Sequence, residues 1–281
     1  MSILDQLAQN RTLVMGILNV TPDSFSDGGD HNDPAAAIDH AKTMLAEGAD
    51  IIDIGGESTR PGATPVPVEE EIRRVVPVIE ELAQVDAVVS IDTLHAKTAR
   101  AALASGAQII NDVSGASLTD DMIGVAAETG APYILTHARG NAQSMNDLAN
   151  YTDTVQDVIA ELQEWTARLT RGGVAPQQII LDPGLGFAKL GNQDWELLAG
   201  IDRLQILGYP LLIGASRKRF VGNLLATTQG HPPAPTERDA ASAAISALAA
   251  YKGAWAVRVH RVKPSVDAVL AAAAWKAAES L

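Results

Sequence analysis

The chain has 281 residues, 47% hydrophobic and 20% charged, so it can bury a large core and is not a disordered chain. Lys and Arg number 21 against 34 Asp and Glu, a formal charge of −13. That balance excludes a general nucleic-acid binder and a protein held on an anionic membrane. There is no cysteine, hence no disulfide framework, thiolate nucleophile or Cys metal site, which fits a reducing, cytoplasmic setting. No apolar run reaches the ~20 residues of a membrane span. Met1 to Gln6 shows neither a basic leader nor an apolar segment, so no signal peptide is expected. The length lies between one and two domains of ~150 residues, but an α/β barrel reaches ~250 residues as one domain.

In chain order, eight apolar runs predict strands at 13–18, 50–54, 87–91, 107–110, 132–135, 178–181, 210–213 and 254–259. They are nearly continuous in apolar residues, the pattern of strands covered on both faces of a parallel sheet. Ala-rich helical segments fill the gaps. Asp33-Pro34 reads as an N-cap with proline at the first helical position, and Gly48 as the C-cap glycine of that helix. Pro77 is expected to kink a helix over 68–84. Thr236 to Asp239 resembles a capping box before a helix ending at Gly253. Pro264 is expected to start the last helix, with Ala268, Ala271, Ala272 and Trp275 on one stripe. Strand–helix alternation over 1–281 with no composition break predicts an α/β fold, a single (β/α)8 TIM barrel; a doubly wound open sheet is the runner-up, but no Gly-rich phosphate turn follows the first strand.

Polar residues collect where the strands end. Asn19 ends the first, Asp53 lies inside the second, Asp92 ends the third, and Asn111 with Asp112 ends the fourth. His137 follows the fifth, Asp182 ends the sixth, Ser216-Arg217-Lys218 follows the seventh, and Arg258 and His260 end the eighth. In a barrel all of these reach the C-terminal mouth, where active sites sit. Each also has a plainer explanation. Asp92 and Asp112 can be helix caps, Asp182-Pro183-Gly184 a turn former, and Lys218 a solvated charge. His31, His40, His95 and His231 read as surface residues, and no His/carboxylate spacing suits a structural zinc.

As a set, Asp92, Asn111 and Asp182 offer donors and acceptors to a heterocycle with amide and amidine edges, and Lys218 can donate to a ring carbonyl. Arg60, Arg258, His260 and Asn19 form a second group suited to an anion, with the Asn19 amide oxygen available to magnesium. Arg60, Arg217, Lys218, Arg219, Arg258 and Arg261 are expected to gather at this mouth despite the negative total. Two loops, 21–29 and 55–63, are Gly-containing candidates for lids, and Phe25 is an apolar residue stranded in the first.

Residues 15–29, reading MGILNVTPDSFSDGG, and 55–62, reading GGESTRPG, resemble the two loop signatures of the dihydropteroate synthase family. IINDVSG at 109–115, DPGLGF at 182–187, GASRK at 214–218 and RVH at 258–260 are similar to its later motifs, in order over nearly the whole chain. The resemblance implies transfer of the pterin methyl group of 6-hydroxymethyl-7,8-dihydropterin diphosphate to 4-aminobenzoate, with release of pyrophosphate, in folate synthesis. By that match Asp92, Asn111, Asp182 and Lys218 would hold the pterin ring, Phe187 and Gly214 would line its pocket, and Val113 would form the floor. Asn19 would bind Mg2+, and Thr59, Arg60, Arg258 and His260 the diphosphate. Ser216, Phe25 and Pro61 would flank 4-aminobenzoate, the position for which sulfonamides compete. Asp92, Lys218 and Arg60 would carry the chemistry: Asp92 would stabilise a developing pterin methylene cation, and the basic residues with magnesium would stabilise the leaving anion. The family also implies a homodimer through late helices; the Ala-rich stretch 240–250 and the Trp275 helix suit that and ordinary packing equally. Thr136 stands where many relatives carry Met, and Arg261 where Asp is common. The competing expectations are a methyltetrahydrofolate-dependent corrinoid methyltransferase and a pterin-binding paralogue without synthase activity.

Overall fold

The computed structural model describes residues 3–7, 10–21, 34–58, 64–141 and 143–279. Eight strands, β1 (Leu13–Asn19), β2 (Ile51–Gly55), β3 (Val89–Asp92), β4 (Ile109–Asp112), β5 (Tyr133–Thr136), β6 (Ile179–Asp182), β7 (Leu212–Ile213) and β8 (Ala256–Val259), form one sheet. Its order is β6-β5-β4-β3-β2-β1-β8-β7, and every neighbouring pair is parallel. A parallel bridge between Leu181 and Leu211 joins the two ends, with the Leu181 N–H donating to the Pro210 carbonyl at 2.9 Å. The sheet is therefore closed into the (β/α)8 barrel that strand–helix alternation predicts. The seam is only a bridge because β7 is short: Pro210, expected to open it, has no N–H to give and supplies only its carbonyl.

The helices are α1 (Ile3–Gln6), α2 (Pro34–Ala46), α3 (Val68–Ala83), α4 (Ala96–Ala104), α5 (Asp120–Thr129), α6 (Thr154–Arg171), α7 (Gln193–Ala199), α8 (Ile201–Leu204), α9 (Arg219–Gln229), α10 (Asp239–Tyr251) and α11 (Val262–Ala278). Among the described residues no helix is long and apolar enough to cross a membrane. α2 ends as Gly48 predicts: at φ 99° the glycine donates to the Leu45 carbonyl, and Ala49 donates to that of Met44. Asp33 lies outside the described residues. α3 continues through Pro77 as one helix.

Three helix-level expectations change. Residues Pro235–Arg238 form a separate 3-10 turn, and α10 starts at Asp239. Glu237 accepts from the Ala234 N–H at 2.8 Å, while the Asp239 carboxylate is taken by Arg217, so Thr236 and Asp239 form no capping box. α11 begins at Val262, with Pro264 in its first turn, where a missing N–H costs no helical bond. Its buried face is Val262, Ser265, Val269 and Ala272; of the stripe Ala268, Ala271, Ala272 and Trp275, only Ala272 is buried, and Trp275 is 69% exposed.

Strand parity separates two cores. Leu13, Met15, Ile51, Ile109, Ile134, Ile180, Leu212 and Ala256 fill the barrel, closed from below by Leu7 beside α1. The alternate residues, Val14, Leu18, Ile52, Ile54, Val89, Ile91, Ile110, Leu135 and Leu181 among them, pack against the helices. The inward parity then continues past the apolar filling to Asn19, Asp53, Asp92, Asn111, Thr136, Asp182, Gly214 and Arg258. Most strands begin a residue or two later and end one residue later than their apolar runs, because the backbone ladder extends through these polar positions.

Candidate active site

The inward residues nearest the C-terminal mouth form a connected polar layer. Asp53, fully buried, is its hub. The Arg258 Nε donates to Asp53 Oδ2 at 2.6 Å, and Asn111 Nδ2 donates to the same oxygen at 3.0 Å. The other arm of Arg258, Nη2, donates to Asp92 Oδ2 at 2.6 Å. One guanidinium thus bridges two buried carboxylates, each through one oxygen. The second oxygens, Asp53 Oδ1 and Asp92 Oδ1, and Asn111 Oδ1 are buried without a hydrogen-bond partner among the described residues. Such atoms are expensive unless something donates to them.

Charge in this layer is strained by burial. Burial lifts Asp92 from the ordinary carboxylate range up to about 7; Arg258 opposes the rise and the Asp53 carboxylate adds to it. Burial works against the charge of Arg258, but Asp53 and Asp92 more than offset it and hold the guanidinium charged.

Asp182 and Lys218 form the opposite wall. Burial raises the Asp182 carboxyl and lowers the Lys218 amine, and each group partly offsets the shift of the other. Gly214 lets them face one space: a Cβ there would lie 3.5 Å from Asp182 Oδ2 and 3.7 Å from Lys218 Nζ. Lys218 donates to the Leu185 carbonyl and its Nζ sits 4.9 Å from the centroid of the Phe187 ring. The solvated-charge explanation of Lys218 is therefore set aside. At Ser216, Oγ accepts from the His260 backbone N–H at 3.2 Å and lies 3.1 Å from His260 Nδ1.

The plainer explanations apply to some residues and not others. Thr93, not Asp92, accepts from the N–H of His95 at the entry to α4. Asp112 does form a turn, accepting from the Ser114 N–H at 2.8 Å, and it also accepts from the Tyr133 hydroxyl on the outward side of the barrel. Asp182 does both jobs: Oδ1 accepts from the Gly184 N–H at 2.7 Å, while Oδ2 faces Gly214. His95 is not a surface bystander; its Nε2 lies 3.4 Å from Glu57 Oε2, behind the second loop.

The expected cationic cluster does not assemble as a whole. Arg217, at φ 59°, turns away from the mouth and pairs with Asp239 through two bonds of 2.7 and 2.8 Å. That left-handed residue is what presents Ser216 and Lys218 inward on either side of it. Arg219 is exposed and reaches Asn146, and Arg261 is exposed and faces His40. Phe25, Thr59, Arg60 and Pro61 lie outside the described residues. Asn19 ends β1 on the inward parity, half-buried, and Val113 is buried beside Asn111. Among the described residues no cluster of His, Asp and Glu could cage a metal. Of cations, the described donor set would suit only a partly hydrated one that arrives with its own oxygen ligands, to which the Asn19 amide oxygen could add one.

Asp53 is the main residue to which the sequence assigns no role. Ser90 and Thr136 are also inward and buried, each with a hydroxyl that has no hydrogen-bond partner among the described residues, and belong to the same layer. The signal that finds all three is strand parity: each is a whole number of residue pairs from a neighbouring inward position.

A closed parallel barrel whose mouth holds buried carboxylates, an amide, an amine and a bridging arginine defines an enzyme that binds a small polar heterocycle. The family described as "Pterin binding enzyme" matches residues 15–260. The dihydropteroate synthase of Mycobacterium leprae (strain TN) is 49% identical over 263 residues, 93% of this chain and 93% of that one. The dihydropteroate synthase of Xanthomonas albilineans has been solved with 4-aminobenzoic acid, at a TM-score of 0.87 and 44% identity over 96% of this chain and 94% of that one. It has also been solved with 7,8-dihydropteroate, at a TM-score of 0.84 and 40% identity over 98% of this chain and 96% of that one. The chain belongs to the pterin-binding enzymes and, within them, to the dihydropteroate synthase family. Its activity is that of a transferase of the pterin methyl group in folate biosynthesis.

Proposed function

We propose that this mouth joins 6-hydroxymethyl-7,8-dihydropterin diphosphate to 4-aminobenzoate, and that the residues divide the work as follows. The observation that carries the proposal is the adjacent pair Asp92 and Asn111, register partners facing inward, each with a buried oxygen that accepts nothing from the other described residues. The N–H groups of an amidine and amide edge supply the missing donors. Asp182 takes further ring N–H groups, and Lys218 donates to the ring carbonyl beneath Phe187. Gly214 supports this arrangement, because any larger residue would occupy the ring space between Asp182 and Lys218.

The diphosphate lies toward Arg258, His260, Thr59 and Arg60. Arg258 keeps Asp53 as its fixed partner and exchanges Asp92 for the diphosphate. That exchange frees the Asp92 charge just as the bond to the leaving group stretches and positive charge grows on the pterin methylene. Asp92 stabilises that cation, Arg258, Arg60 and His260 stabilise the negative charge that leaves with the diphosphate, and Lys218 keeps hold of the ring carbonyl. Magnesium, held by the Asn19 amide together with the diphosphate, would neutralise part of the leaving charge. Ser216, oriented by His260, flanks the aromatic amine with Phe25 and Pro61. The amine attacks directly, because an aromatic amine is nucleophilic without a dedicated base, and the two loops exclude water that would otherwise capture the cation.

The chain is further proposed to act as a cytoplasmic homodimer. Leu248 and Tyr251 on α10 and Leu270 and Trp275 on α11 are exposed apolar side chains. Tyr251 and Trp275 meet at Glu279, to which they donate at 2.7 and 3.1 Å, so the two helices present one apolar face. Pyrophosphate release is the test of the reaction. It should require the pterin diphosphate, 4-aminobenzoate and magnesium together. Pterin binding with no release under saturating conditions would favour the paralogue without synthase activity.

A further inference from the structure

Behind the ring site, one loop is held by buried charges. Lys218 donates to the Leu185 carbonyl, Asp194 Oδ1 accepts from the Gly186 N–H at 2.6 Å, and Lys189 donates to the Phe187 carbonyl at 2.8 Å. Lys189 is the unexpected member. It is 2% exposed, and no carboxylate lies within ion-pair distance of it among the described residues. Its second partner is His137 Nδ1 at 3.0 Å. That contact assigns the imidazole: Nδ1 accepts from the amine, and Nε2 donates to Glu161 Oε2 at 3.1 Å. The His137 ring stacks on Trp165 at 5.1 Å, and Glu161 is also held by Arg139.

An amine buried without a carboxylate partner is costly, and a methionine would fill the same space without that cost. The buried amine donates to two acceptors, the Phe187 carbonyl and His137 Nδ1. Ala188, the next residue, is at φ 48°, a strained value for alanine, and its carbonyl accepts from Tyr151 at 3.0 Å. We propose that Lys189 is a positioning residue that fixes Phe187 over the pterin ring, acting through the Phe187 carbonyl and through the His137–Glu161 pair. The proposal rests on the ring site proposed above.

The protonation of this amine gives an independent handle. Burial lowers it to about 7; Asp194 and Asp182 oppose the fall, Lys218 and Arg139 add to it, and the Tyr151 ring lies 6.0 Å away. Burial also lowers His137, to about 4, so the ring is neutral at pH 7 as the assignment requires. An unfolded lysine holds its proton to a higher pH than this buried one. The unfolded chain therefore binds more protons between about pH 7 and the ordinary lysine range near ~10.4, and stability rises with pH there.

Lys189→Met and Glu161→Gln test the proposal beside wild type. Lys189→Met should raise KM for the pterin diphosphate, and Kd for 6-hydroxymethylpterin, about tenfold. KM for 4-aminobenzoate at saturating pterin should stay within about twofold, Tm should not fall, and the rise of stability just above pH 7 should shrink, leaving the part that Lys218 contributes. Glu161→Gln, at a half-buried position, should raise the pterin constants about threefold with no change for 4-aminobenzoate. A purely structural lysine predicts a lower Tm with both substrates and kcat impaired together; that result, or unchanged pterin affinity in both variants, overturns the proposal. Binding of 6-hydroxymethylpterin is measured without turnover, so a wild type that binds pterin but releases no pyrophosphate refutes the proposed reaction and leaves this test standing.

Discussion

Asp53→Asn removes one carboxylate from the Arg258 bridge and keeps its shape. The amide oxygen can still accept from Arg258 Nε and Asn111 Nδ2, now at 2.6 and 3.0 Å. What changes is charge. Two carboxylates on one guanidinium lie roughly 6 Å apart, and at an effective dielectric of about 20 their repulsion is about 3 kcal/mol, or about 2 pKa units. Asp92 stands at about 7, with burial the larger cause and Asp53 a contributor. Taking Asp53 away should therefore move Asp92 down by about 1–2 units. The proposed cation-stabilising role needs Asp92 ionised, so kcat/KM for the pterin diphosphate should fall below about pH 7 in wild type. In Asp53→Asn that acid limb should move to about pH 5–6. Stability should change by no more than about 2 kcal/mol, since a lost buried pair is offset by relief of one buried charge. The assay is a pH series of pyrophosphate release at low substrate. An acid limb that stays near pH 7 in the variant refutes the electrostatic coupling of Asp53 to Asp92.

Asp92→Asn should cut kcat about 10³-fold, roughly the ~4 kcal/mol that a charge contributes at ~4 Å from a developing cation, while pterin Kd rises far less; equal losses in both would refute the cation role. The same variant should be more stable than wild type relative to its own value at pH 4 as pH rises. A carboxyl raised on folding contributes stability at low pH that is lost as pH climbs toward about 7, and Asn has none to lose. Gly184→Ala places a Cβ 1.8 Å from the His137 carbonyl oxygen at φ 69°, so it should destabilise the fold by ~3 kcal/mol or more in urea titration. Trp275→Ala, at a residue 69% exposed, should convert a dimer to a monomer by light scattering and leave Tm of the monomeric fold nearly unchanged.

The barrel was legible because its strands are apolar on both faces, and the runs at 51–54, 109–110 and 179–181 stand out from their Ala-rich surroundings. The boundaries were not, because apolar runs stop where the inward residues turn polar, while the backbone ladder runs on through Asn19, Asp92 and Asp182. Asp92, Asn111, Asp182, Lys218 and Arg258 all reach the mouth as strand ends predict. Asp53 is placed at the mouth by the sequence but given no role there, because its partners Arg258 and Asn111 lie on other strands far away in the chain. The fate of Arg217 depended on a backbone angle, and that of Lys189 on a histidine 52 residues away. Neither has a local signature. The apolar face of α10 and α11 was hidden for a related reason. Small alanines suit both the buried and the exposed sides of a helix, so the stripe through Trp275 fits a dimer face and packing onto the barrel equally.

On the proposed function, the buried oxygens of Asp92 and Asn111 receive the N–H edge of a pterin ring. Calorimetric titration of 6-hydroxymethylpterin into wild type and Asn111→Ala tests it most directly, since Asp53 retains Arg258 in the variant and the barrel keeps its hub. Affinity should fall about 10- to 100-fold in the variant, the cost of one or two buried hydrogen bonds to the ring. Equal affinity of the two proteins would contradict it and place the pterin elsewhere.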